Sequence, residues 1–452
     1  MCDTRQSTLG HDVVRRAAAL LLIGGALAAQ NTQDPTPIPA QWASWVPEIR
    51  IQHFRPRDQR GINMFEPPKH DTVRVDHFTI QWGAAFTQEF QGLRHSNTAA
   101  PTVVNGVDQN QLINIGNGFN NAVANLYLDA QVAPGIRVAL TSYLSSRHHE
   151  ETWVKDGYLL IDQSPIDEPL LNAIMQYVTV KAGHFEINYG DEHFRRADNG
   201  EAIYDPLIGH YILDAFTTEI GEEVYLRRDD WLAMSSITGG EVHGQVTAPE
   251  RRTASFIEKV GFDRQFTPEL RGRLTASTYA NWQAASNTLY TGDRAGSPYY
   301  DVLENTASNE QSNAWSGQLR PGFANAVHAY VLNPFVKYRG LELFGNVETA
   351  TGKATTETRK RTLRQQAGDI TYRFLHDRLY AAARYDRVEG ELAGIGNDIT
   401  VDRAELGGGW FVTPIILAKG EYVNSNYGDF PSTNILSGGR FHGFMIAGVV
   451  AF

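Results

Sequence analysis

The sequence predicts an all-β protein: a transmembrane antiparallel β-barrel of about 16 strands, or at most about 18, with short periplasmic turns and long extracellular loops. Three observations point there. Apolar residues recur at every second position through most of the chain from Phe78 to Phe452, and two is the period of a strand, whose side chains alternate between faces. The connections between these stretches are of two kinds, tight turns and long polar loops. The first residues read as an export signal, and no later apolar run of about 18 residues could form a spanning helix.

Taken in order, the chain begins with MCDTRQSTLGHDVVRRAAALLLIGGALAAQ, in which Arg15 and Arg16 precede an apolar stretch from Ala17 to Ala29. A basic start, a short apolar run and small residues at Ala26-Leu27-Ala28 make residues 1–29 a signal peptide. An amphipathic helix would need a polar face that this run lacks. Cys2, the only cysteine, leaves with the signal, so the mature chain has neither disulfides nor a thiol nucleophile. Residues 30–77, rich in Pro and charge without a sustained period, read as an irregular periplasmic leader.

The barrel is expected over residues 78–452. FTIQWGAAFTQEF sets Phe78, Ile80, Trp82 and Ala84 against Thr79, Gln81 and Gly83. NLYLDAQV places Leu126, Leu128, Ala130 and Val132 on one face and Asn125, Tyr127, Asp129 and Gln131 on the other. A turn at Ala133-Pro134-Gly135 joins it to IRVALTSYLSSR, where Ile136, Val138, Leu140 and Leu144 oppose Arg137, Thr141, Tyr143 and Arg147, which is a hairpin. Further hairpins pivot on Phe266-Thr267-Pro268, His376-Asp377 and Thr413-Pro414. Long loops are expected at 93–118, 187–219, 283–311, 351–360, 390–398 and 428–438. Within 219–250 and 312–325 the strand count stays open.

Periodicity alone does not say which face meets which solvent. In a secreted β-sandwich the oily face of LRGRLTAST would be the core, whereas in a membrane barrel it faces lipid and Arg271, Arg273, Thr275 and Ser277 face the lumen. The asymmetry of the connections favours the barrel. So does FMIAGVVAF, Phe444 to Phe452, which resembles the terminal strand signal of Gram-negative outer-membrane proteins. The chain is therefore expected in the bacterial outer membrane, in contact with its lipid. The formal charge of −11 grows more acidic by one once residues 1–29 leave with three Arg and two Asp, and this balance argues against a nucleic-acid partner.

VTVKAGHFEINYGDEHFRRADNG, Val178 to Gly200, with Gly183, Phe185, Gly190, Asp191 and Glu192, is similar to a motif of the phosphate-selective porin family of the O/P type. The hairpin NLYLDAQVAPGIRVALTSY resembles that family's paired strands. The resemblance implies a porin, commonly trimeric, with a long loop folded inward to narrow the pore. The family's anion-selective members carry more Arg and Lys, and the acidic excess here departs from that pattern.

Alternation assigns Arg137, Arg147, Lys181, Arg271, Arg273, Lys337, Arg339, Arg373 and Arg384 to the lumen face as pore-lining residues, with Asp129, Glu342, Glu348, Asp386 and Glu421 beside them. Such a wall either tunes ion selectivity or pairs across strands in a wide aqueous channel, and the sequence leaves both open. The loop from Glu186 to Glu219, containing Arg195, Arg196, Tyr204, Asp205 and His210, is the candidate constriction that the resemblance favours. Long loops are also ordinary decoration of such barrels.

Signals for catalysis are thin. His148-His149-Glu150-Glu151 lacks the i, i+4 histidine spacing of a metal helix, Gly352-Lys353 lacks the rest of a phosphate loop, and no Gly-x-Ser-x-Gly occurs. The expectation is a non-enzymatic porin without cofactor or metal, passing small hydrophilic or anionic solutes with a weak anion preference. The rivals are a barrel that anchors an enzymatic or adhesive loop surface and a secreted β-sandwich binding module.

Overall fold

Sixteen strands close into one antiparallel barrel in which chain order is spatial order. A computed structural model describes residues 38, 40–69, 71, 73–147, 152–197, 199–240, 246, 249–291, 296–309, 313 and 315–452. The signal peptide and the His148–Glu151 cluster lie outside the described residues. Among the described residues no helix is long and apolar enough to cross a membrane.

The first strand is β1 (Thr79–Ser96), and the loop after it carries a two-stranded ribbon, β2 (Val103–Val104) and β3 (Val107–Asp108). The barrel continues with β4 (Gly118–Ala133), β5 (Ile136–Ser145), β6 (Trp153–Ile161), β7 (Val178–Glu186), β8 (Thr218–Arg228) and β9 (Trp231–Thr238). It goes on through β10 (Ser255–Thr267), β11 (Leu270–Asn281), β12 (Ala326–Tyr338), β13 (Leu341–Lys353) and β14 (Arg361–Phe374). The last four are β15 (Leu379–Gly390), β16 (Ile399–Thr413), β17 (Ile416–Gly428) and β18 (Arg440–Ala451). Closure comes from β1 against β18, with Phe86 opposite Val450 and Phe90 opposite Ile446, so the barrel has no open sheet edge.

Turn chemistry explains the tight end. Gly135 sits at φ 68°, and a Cβ there would meet the Gln163 side chain at 2.4 Å, so only glycine closes the β4–β5 hairpin at this spacing. The open region 219–250 resolves into the hairpin β8–β9, with Asp229 at φ 53° in its turn. One connection at this end departs from the rule: between β6 and β7 the chain forms a short helix, α1 (Pro169–Met175). At the other end, the loop expected to close at 311 extends to Asn325, because the described residues of 312–325 contribute no strand.

The faces divide as lipid outside demands. Asn125, Tyr127, Asp129 and Gln131 are buried inward, while Leu126 and Val132 are exposed outward. On β18, Phe444 is 65% exposed, whereas Met445, Ala447, Val449 and Ala451 point inward and are buried. Exposed aromatics gather in two belts. Trp231, Phe266, Tyr338, Phe374 and Trp410 lie near the short turns, and Phe119, Phe256, Trp282, Tyr330 and Phe444 toward the long loops. Two aromatic girdles around an apolar band mark a membrane-spanning barrel. Leu274, outward at mid-β11 and 48% exposed, reports on that band. Leu274→Arg should destabilise the folded barrel by about 2–4 kcal/mol in lipid, read from urea unfolding in vesicles, and no loss of stability there would place this face in water.

The interior is packed with chain. Described residues of three segments fill it: 50–69 at the short-turn end, those of 187–217 across the middle and those of 282–325 toward the long loops. Inward apolar residues such as Val327, Val331, Val388, Val401 and Phe441 pack against Ile212, Leu213, Leu289, Tyr299 and Leu303 of the inserted loops. A barrel of this width acquires a core of its own when loops supply the missing apolar surface.

Candidate functional site

The lowest layer of the lumen is the segment 50–69. It has little regular structure beyond a one-turn 3-10 helix at Gln59–Gly61, capped by Asp58. Its docking rests on hydrogen bonds and ion pairs instead. The Gln59 amide donates to the Pro414 carbonyl, and its side chain to the Asp377 carbonyl, both in short turns. Arg57 reaches Asp129 of β4 at 2.7 Å and lies over the Tyr127 ring. Phe65, fully buried, meets Phe194 and Phe335 edge-on.

Above it, four buried charges join all three participants, the segment, the wall and the middle loop. Asp191 accepts from Arg273 at 2.8 and 2.9 Å, from Thr275 at 2.8 Å, and pairs with Lys259 at 2.7 Å. Glu66 pairs with the same Arg273 at 2.9 Å and with Lys259 at 3.3 Å. Burial alone would raise the Glu66 carboxyl, but Arg273 and Lys259 outweigh it and hold it at about 2. Asp191 is likewise held below the carboxylate range against the effect of burial, by the same two cations.

The loop 187–217 lies across the lumen, with its charges matched to the wall. Arg195 sits 3.6 Å from Glu342, which Arg373 also holds at 2.8 Å, and donates to the Asn63 side chain. Arg196, 1% exposed, donates to Asp214 at 2.7 and 3.0 Å and contacts His210 at 3.1 Å. Asp205 is 3.4 Å from Arg384, which pairs with Asp369 at 2.8 Å. Tyr204 donates to the Pro56 carbonyl at 2.6 Å. The Ile208 and Gly209 amides donate to Glu421 at 2.6 and 2.9 Å, and Tyr299 of the upper layer bridges Glu421 and Glu405 at 2.7 and 2.8 Å.

The residues assigned by alternation fall mostly where the lumen is. Arg137 pairs with Asp129 at 3.6 Å, Lys181 with Glu223 at 3.2 Å, and Arg271 with Asp263 at 2.6 Å. Arg147 donates to the Ser297 carbonyl of the upper layer, and Lys337 stands at the rim, 3.9 Å from Glu342. Arg339 is a correction. It is exposed in the turn after β12 at φ 52°, its guanidinium over Tyr338, so the alternation that assigned it to the wall stops one residue earlier. Lys155 and Lys259 were missed although strand parity could have found Lys259, inward with Ile257 and Ser255. No local pattern announces Arg55, Arg57 or Glu66, because their segment has no period.

The filling leaves a cavity on one side of the lumen. A cavity of about 200 Å³ runs along the inner wall of β5 to β8, bounded by residues 53–57 and 65–67 below and by Asn188, His193, Phe194, Glu201 and Tyr204 of the middle loop. Among the described residues no group of three or more His, Cys, Asp or Glu is arranged to hold a metal.

By sequence the chain matches no family model and no curated protein. In fold it is similar to an anion-selective porin from Comamonas acidovorans, with a TM-score of 0.51 at 10% identity over 83% of this chain and 100% of that one. OprB of Pseudomonas putida aligns with a TM-score of 0.49 at 11% identity, over 82% and 94%. The outer-membrane channel DcaP of Acinetobacter baumannii gives 0.47 at 10%, over 83% and 97%. At such identities the likeness concerns the fold, a porin-like barrel, and singles out no branch. With its apolar exterior and aromatic belts, this barrel resides in the outer membrane.

Proposed function

We propose that this chain is an outer-membrane channel for the passive diffusion of small hydrophilic solutes, narrowed by the chain folded into its lumen. One observation carries the reading: an oily exterior encloses a wall of charged side chains, with a cavity left open along β5 to β8. A charged wall along the cavity lowers the barrier that lipid presents to a hydrated solute. On this reading Arg195, Arg196, Tyr204, Asp205 and His210 position the constriction through buried contacts, and the free path runs beside them. Phosphate specificity is no part of the proposal, since most of the wall's cations are matched by acids. The homotrimer implied by resemblance belongs to the same reading.

The density of the filling favours one rival, a barrel whose outer loops do the work while its lumen is sealed. Purified protein in a planar bilayer separates the two. Stepwise conductance, with a reversal potential under a salt gradient showing a mild anion preference, is the expected outcome. An electrically silent, correctly folded barrel would leave only the anchoring role.

A further inference from the structure

Most cations inside the barrel have a carboxylate partner, and Arg55 does not. Its Nε donates to the Gly61 carbonyl at 3.1 Å and one Nη to the Phe194 carbonyl at 2.8 Å, and the guanidinium lies 3.8 Å over the Tyr204 ring. Among the described residues no carboxylate stands within ion-pair distance of it. The nearby acids are engaged elsewhere: Lys155 holds Glu186 at 2.6 Å, with His193 at 3.4 Å, and Tyr127 hydrogen-bonds Glu201. The remaining Nη has no acceptor among the described residues, and Arg55 lines the cavity along β5 to β8.

We propose that Arg55 forms a recognition station for a small organic monocarboxylate in this cavity. The two carbonyls and the Tyr204 ring fix the guanidinium, so a bound anion need not order it. A half-buried guanidinium with no carboxylate in direct contact gains more from an incoming carboxylate than one already paired. The lining sets the class. Tyr158, Tyr225 and Phe194 stand around the same space and suit an anion with an apolar body, while the lining cations Arg57, Lys155 and Lys181 are already paired with Asp129, Glu186 and Glu223, so Arg55 offers a place for one carboxylate and not two. The station lies on the inserted segment, away from the strand wall where alternation would place a selectivity residue.

This inference rests on the reading that solutes enter the lumen, yet its test does not require conductance. Full-length mature protein in detergent is titrated calorimetrically with benzoate and, separately, with inorganic phosphate. Benzoate should bind at one site per chain, more tightly than phosphate, and Arg55→Gln should weaken it roughly tenfold, the scale of one charge-assisted hydrogen bond. Arg55→Lys, which keeps the charge, should retain part of the affinity. Arg60→Gln, on the same segment but paired with Asp58 at 2.6 Å, should bind as wild type does. Equal benzoate affinity in wild type and Arg55→Gln, or equal affinity for phosphate and benzoate, overturns the station. If Arg55→Gln fails to fold, an Arg55→Lys protein that keeps benzoate affinity still supports a charge-borne site, and one with none refutes it. A silent bilayer with intact benzoate binding would refute conduction and leave the station standing.

Discussion

Deleting residues 40–69 from the mature chain raises single-channel conductance, on the order of twofold or more, because the segment stands in series with the middle loop along the path of the current. The segment occupies the short-turn end with Ile51, Phe54, Met64 and Phe65 buried, a volume that water and ions would take over. The barrel should survive its loss, since the wall charges that the segment touches keep other partners. Arg273 retains Asp191 and Asp263, Arg271 retains Asp263, Asp129 retains Arg137, and Glu342 retains Arg373. The strand ladder involves none of the deleted residues. Unchanged conductance in a folded deletion variant would show that the middle loop alone sets the restriction. Loss of the heat-modifiable barrel band on a gel would make the segment a folding element instead.

Asp191→Ala is expected to cost about 3–5 kcal/mol, the scale for stranding buried charge. Lys259 and Arg273 would keep only Glu66 and Asp263 between them in a site that excludes water. The cost falls on the docking of residues 187–217 more than on the barrel, so limited proteolysis should cut that loop in the variant and spare it in the wild type. The same cluster, together with the Arg196–Asp214 pair, sets a pH dependence. Glu66, Asp191 and Asp214 are all held below the ordinary carboxylate value in the folded state, Glu66 and Asp214 at about 2, by cations that outweigh the effect of burial. Their contribution is complete above the unfolded value of about 4 and is lost as pH falls toward 2. Protease sensitivity of the loop should therefore rise between pH about 4 and about 2 while the strand circular dichroism stays constant. A loop equally protected across that window would show that apolar packing, and not these pairs, keeps it in place.

Much of the barrel was legible in advance, because a pleated strand writes its geometry locally. Alternation in β4, β5 and β11 assigned inward and outward residues that the structure bears out, and the turns at Pro134-Gly135, Pro268 and Pro414 fell between the paired strands. Where reading by alternation failed, a local reason exists. Arg339 was carried onto the wall because alternation was followed past Tyr338, the last residue of β12, although Gly340 marks a turn in which Arg339 takes a positive φ. The helix at Pro169–Met175 interrupts an end where short turns are the rule.

By itself the sequence determined most of the strands, which side chains share a face and several of the tight turns, since these follow from a two-residue repeat and from residues adjacent in the chain. Only the tertiary structure decided that the lumen is filled. Glu66 meets Arg273, 207 residues away, and Asn63 meets Glu342, 279 residues away. Pairings across such distances leave no periodic trace, because they depend on closure first bringing the wall around the segments it encloses.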